Sequence, residues 1–76
     1  MVLAFVLVAT TSCSSHEVRD KLMDAPGVEE VHVVFGQYDV IMKVDVPDSE
    51  TLRRLVFGRI RSMDCVISTS TLTVFR

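Results

Sequence analysis

Apolar residues fill nearly every position from Leu3 to Thr10, the pattern of a central strand covered on both faces. Ser14-Ser15-His16-Glu17 follows as a capping box, with Ser14 as N-cap and Glu17 reaching back to it. Val18, Leu22 and Ala25 then give a helix one apolar stripe, which Pro26-Gly27 stops. From Val28 to Phe35 the period changes to two, with Val31, Val33 and Phe35 alternating against His32 and Val34. Gly36-Gln37-Tyr38-Asp39 reads as a tight reversal, since Gly36 can take the positive φ that a short hairpin demands. Val40, Met42, Val44 and Val46 line one face of a third strand, Asp39, Ile41, Lys43 and Asp45 the other, and Pro47 ends it. Asp48 or Ser49 caps a second helix, in which Leu52, Leu55, Val56, Ile60 and Met63 form the inner stripe while Glu50, Arg53, Arg54 and Arg61 point outward. Gly58 inside it costs roughly 1 kcal/mol relative to Ala. A Thr-rich strand from Val66 to Phe75 completes the chain.

The order strand, helix, strand, strand, helix, strand predicts an α+β fold, a ferredoxin-like βαββαβ sandwich. Its four-stranded antiparallel sheet is expected in the order 4-1-3-2 with both helices on one face. Chain direction then gathers the exit of strand 1 at Cys13, the hairpin Gly36 to Asp39, the joint at Cys65 and the start of strand 4 at one end. If Val66, Leu72 and Val74 face the helices, simple alternation turns Ile67, Thr69, Thr71 and Thr73 to the open side. That side also carries Ile41 and half of strand 1, an apolar area with no helix to cover it, so it is expected to pack on a second subunit. The resulting intersubunit crevice, edged by Tyr38, Asp39 and threonine hydroxyls, has the general form of a small-ligand site.

Seventy-six residues make a single domain, 1–76, and a chain of this length buries only about 60–65% of its unfolded surface. With 49% hydrophobic residues, the extra core is expected from self-association. A net charge of −2 provides no field to draw nucleic acid. The apolar start lacks the basic residues of a secretory signal, Cys13 follows Thr10-Thr11-Ser12 where a lipoprotein signal would place a Leu-like residue, and no run reaches the ~20 residues of a membrane span. A cytoplasmic protein is expected. Two cysteines and two histidines, with no CxxC, fit no standard zinc pattern, so neither cofactor nor metal is expected.

Pro26-Gly27-Val28, the Gly36-Gln37-Tyr38-Asp39 hairpin ahead of an apolar strand, and Thr69-Ser70-Thr71 in the last strand together resemble the C-terminal effector domain of the Lrp/AsnC transcription regulators, the RAM domain. The resemblance covers almost the whole chain. It implies a non-enzymatic domain that dimerises through its sheet, can build rings of dimers, and binds a free amino acid between subunits. Carried over residue by residue, the implied ligand contacts are Gly36, Tyr38, Asp39, Thr69 and Thr71. Backbone N–H groups and hydroxyls suit a ligand carboxylate, and Asp39 suits an ammonium. The helix-turn-helix of that family is missing, which implies a stand-alone member that does not contact DNA and can co-assemble with full-length regulators. Cys65 replaces the Gly that often precedes the last strand.

Other roles stand beside these. Tyr38 and Asp39 also suit a hairpin cap, with Asp39 bonding backbone amides. The threonines suit ordinary strand propensity, and the helix 2 arginines suit a solvated face or a docking surface. Cys13 and Cys65 lie close enough in this topology for a disulfide, whereas a cytoplasmic setting favours two reduced thiols. With His16 they would also make a metal trio of loose geometry. At the level of function the alternatives are a purely structural oligomerisation module, an ACT-like small-molecule-binding domain, which shares the topology, and an enzyme, for which no nucleophile–base or acid pair has workable spacing.

Overall fold

The structure, a computed structural model, describes residues 2–11 and 15–74. Its strands are β1 (Val2–Thr10), β2 (Val28–Val33), β3 (Val40–Val46) and β4 (Val66–Thr73), with helices α1 (Ser15–Leu22) and α2 (Ser49–Arg54) between them. The sheet is antiparallel in the order β2-β3-β1-β4, which is the expected 4-1-3-2 read from the other edge. The expected cap Ser14, and Cys13, lie outside the described residues.

One layer of core holds the sandwich together. Ala4, Val6 and Val8 of β1 and Val40, Met42, Val44 and Val46 of β3 are fully or almost fully buried beneath Val18 and Leu22 of the first helix and Leu52 of the second. Every second residue of both strands is thus committed to the helix side. Register partners share a face, so Leu3, Phe5 and Leu7, with Ile41 and Lys43, occupy the other. No helix among the described residues covers that side.

Two features bend this regular plan. Asp48 caps α2, its Oδ1 accepting from the Thr51 N–H at 2.8 Å and the Thr51 hydroxyl at 2.7 Å. The helix does not run on as an α-helix, however. From Leu55 to Ile60 it continues as a π-helix, the wider winding that accommodates an extra residue per turn, with Gly58 inside it. Leu55, Val56 and Ile60 still reach the core.

The second feature is a register slip between β1 and β4. Ala9 pairs with Ser68 but Thr10 pairs with Val66, leaving Ile67 as the extra residue of a β-bulge. Val66 therefore faces the helices as expected, while the remainder of β4 has the opposite phase from that expected. Thr69, Thr71 and Thr73 pair with Val8, Val6 and Ala4 on the helix side, and Leu72 pairs with Phe5 on the open side. An unpaired extra residue reverses every facing beyond it relative to simple alternation.

At this end of the sheet Cys65 is disulfide-bonded, in place of the reduced thiol expected of it. The backbone brings its loop against the exit of β1, where the Thr11 N–H donates to the Cys65 carbonyl at 2.9 Å. Among the described residues no three His, Cys, Asp or Glu side chains gather as a metal site. No helix among them is long and apolar enough to cross a membrane.

Candidate functional site

The hairpin between β2 and β3 closes through the Val34 N–H, which donates to the Asp39 carbonyl at 2.9 Å. Gly36 lies at φ +146°, a conformation that disfavours a side chain. Phe35 leaves the strand pattern at this point and stands fully exposed. Tyr38 is half-buried.

Asp39 is fixed from two directions. Its N–H donates to the Val8 carbonyl at 2.9 Å, and its Oδ2 accepts from the Thr10 N–H at 2.8 Å. Thr10 is the residue at which the β1–β4 register slips. Oδ1 of Asp39 makes no bond to a described residue, so among these residues one carboxylate oxygen serves the fold. The hairpin-cap role is thus real, and among the described residues it uses one of the carboxylate's two oxygens.

Thr69 and Thr71 belong to a different wall. They line a groove of about 340 Å3 between β4 and the second helix, opposite Arg53, Phe57 and Arg61, with Leu52 and Val56 below. Val40, Val8 and Thr69 form one row across three strands, so Thr69 lies two strand spacings, roughly 10 Å, from the strand that carries the hairpin. No residue of the hairpin lines the groove that holds the threonines. Within one chain the five candidate residues form two half-sites.

Periodicity does not single out Arg53, Phe57 and Arg61 for this groove: it turns the arginines outward, as a solvated face or a docking surface. The π-helical turn shifts the register of this helix between Arg53 and Arg61, and the bulge turns Thr69 and Thr71 towards it. The one local signal was Gly58, a poor helix former placed mid-helix. The Arg61 guanidinium lies 5.4 Å from the centre of the Phe57 ring, within the range of a cation–π contact.

The open face carries its own polar set. Lys43 Nζ lies 3.8 Å from carboxylate oxygens of both Glu29 and Glu30, and His32 Nε2 lies 3.1 Å from Glu30 Oε1. Glu30, His32 and Lys43 flank Phe5 and Ile41 in a small depression. Leu72 on the same face is 55% exposed. Asp45 Oδ1 is buried with no bonding partner among the described residues, on a residue paired with Leu3.

Comparison with known proteins gives this arrangement a family context. Residues 3–76 match the family model described as the Lrp/AsnC ligand binding domain. An uncharacterized HTH-type transcriptional regulator of Pyrococcus furiosus is 32% identical over 75 residues, which cover 95% of this chain and 50% of that protein. The chain spans about half the length of the curated relatives it matches. Among solved structures, a protein of Thermus thermophilus superposes with a TM-score of 0.93 at 34% identity, covering 100% of this chain and 95% of that one. The transcriptional regulator NMB0573 of Neisseria meningitidis, solved as a complex with L-Met, has a TM-score of 0.85 at 17% identity over 99% of this chain and 50% of its own. At that identity the likeness shows the fold alone.

Proposed function

This chain belongs to the Lrp/AsnC ligand-binding domain family, and we propose that it is a non-enzymatic regulatory domain that self-associates through its open sheet face and binds a free amino acid between subunits. The observation that carries the reading is the uncovered face itself. Phe5, Leu7 and Ile41 are only partly covered and Leu72 is exposed, an apolar area of the kind that marks an interface.

The division of the candidate residues into two half-sites supports a shared site. Because Thr69 and Thr71 lie on the helix side, this site would form at a second contact, between dimers rather than across the open face. Gly36, Tyr38 and Asp39 of one subunit would meet Thr69 or Thr71 of another, the hydroxyls and backbone N–H groups taking the ligand carboxylate and Asp39 its ammonium. The L-Met complex of the Neisseria regulator supports an amino acid as the ligand class. A ligand held between subunits shifts assembly by its differential affinity for the assembled states. We extend the proposal to homodimers that can close into rings, to co-assembly with full-length regulators of the family, and to a cytoplasmic setting.

The test is calorimetry and light scattering of the purified chain against the twenty amino acids at millimolar concentration. Binding with a change of assembly state is expected for at least one. No response to any of them would reject the sensing role. A purely structural assembly module is favoured by one observation, the commitment of Asp39 Oδ2 to the Thr10 N–H. On that reading Asp39 and Tyr38 substitutions change stability or assembly and nothing else.

A further inference from the structure

We propose that the groove between the second helix and β4 is a binding site for a small organic carboxylate with a short hydrocarbon body, held by Arg53 and Arg61. It is complete within one protomer. The proposal therefore goes beyond the amino-acid reading and shares with it only Thr69 and Thr71.

Charge makes the case first. The chain is net acidic, yet the groove is lined by two guanidiniums and no carboxylate. Three other basic groups lie beside carboxylates: Arg19 by Asp20, Lys43 by Glu29 and Glu30, and Arg54 by Glu50 at 3.6 Å. Arg53 makes no ion pair with a described residue, and the Arg61 guanidinium meets only the ring of Phe57 among them. Two guanidiniums with no carboxylate beside them among the described residues, over one concavity, form an anion-binding arrangement, because the planar N–H fork matches a carboxylate in two parallel charge-assisted hydrogen bonds.

Shape and polarity select among anions. Leu52 and Val56 give the groove an apolar base, and the Phe57 ring, 57% exposed, forms its side. An inorganic anion would leave these surfaces wet, whereas a chain of about four to eight carbons would cover them and gain roughly 25 cal/mol per Å2. The hydroxyls of Thr69 and Thr71 stand on the facing strand as further donors. A volume near 340 Å3 lies at the small end of ligand sites, which suits a fatty-acid fragment rather than a nucleotide.

The site also explains why two irregularities coincide. The bulge at Ile67 turns Thr69 and Thr71 into the groove, and the π-helical winding from Leu55 to Ile60 presents Phe57 on its other side. Irregular windings of this kind concentrate where side chains must be aimed.

The experiment is an NMR titration of the 15N-labelled chain with sodium hexanoate, run beside hexylammonium chloride and sodium phosphate. Hexanoate is expected to give saturable shifts centred on Phe57, Thr69 and Thr71. Arg53→Gln with Arg61→Gln, both at exposed positions, should weaken binding about tenfold or more with the remaining spectrum unchanged. Equal shifts from hexylammonium, equal binding of phosphate, non-saturating shifts, or an unaffected double variant would each overturn the site. Amino acids that fail to change assembly while hexanoate saturates the groove would reject the sensing role alone, and the reverse result would reject this site alone.

Discussion

The carboxylate of Asp39 holds the backbone N–H of Thr10 at 2.8 Å, at the residue where β1 and β4 slip by one position. A side chain from the hairpin thus satisfies a donor at the end of the central strand. Removing it by Asp39→Ala leaves that partly buried N–H unpaired and should cost about 2 kcal/mol, lowering the thermal midpoint by on the order of 10 °C. Asp39→Asn keeps an acceptor and should stay within about 1 kcal/mol of the parent, while losing the charge offered to a ligand ammonium. Denaturant melts with amino-acid titrations of both variants separate the two roles.

Leu72 provides a sharper test of the open face. Paired with Phe5 and 55% exposed, it should tolerate Leu72→Asp with its circular dichroism spectrum retained and its self-association reduced in light scattering. Loss of the folded spectrum would mean that Leu72 belongs to the core after all.

Two glycines should respond in opposite directions. Gly27 has φ +88°, and a Cβ there would stand 2.7 Å from Val46 Cγ1, so Gly27→Ala should destabilise by about 2 kcal/mol or more. A Cβ on Gly58 would meet nothing within 4 Å, and Gly58→Ala should be neutral or stabilise by about 0.5–1 kcal/mol. Urea unfolding of the two variants gives both values. A destabilised Gly58→Ala would show that the π-helical winding depends on glycine.

The Thr51 hydroxyl, and then the Thr51 N–H, hold the Asp48 carboxyl below the ordinary carboxylate range. A depressed carboxylate stabilises the fold above its unfolded pKa, about 3.9, and that contribution is lost as pH falls through the folded value. Asp48→Asn retains an acceptor without the charge. Its thermal midpoint should therefore fall less between about pH 5 and about pH 2 than that of the parent.

Most of the sandwich is legible in the sequence because its signals are periodic and strong. The alternation Val40, Met42, Val44, Val46 admits one facing, the unbroken run of β1 admits one central place, and the pattern of elements admits few topologies. The hairpin is equally plain, although β2 stops at Val33 and releases Phe35 to solvent. The last strand misleads because alternation carries no mark of an unpaired residue: Ile67 looks like any other strand position, yet everything beyond it is reversed. Arg53 and Arg61 escape for a related reason, since an α-helical projection cannot describe a segment that winds as a π-helix. The two half-sites follow from these irregularities, and neither irregularity has a composition signal beyond Gly58.

The bulge also uncouples the two ends of β4. Val66 keeps its place beside the disulfide-bonded Cys65, while the threonines keep theirs against the helix, and Ile67 absorbs the difference between them. Deleting Ile67 would leave both pairings as they are, Val66 on Thr10 and Ser68 on Ala9. A change of one codon at this point is thus silent to the rest of the sheet, whereas the same change further along β4 would exchange the surface shown to the helix with that shown to a neighbour.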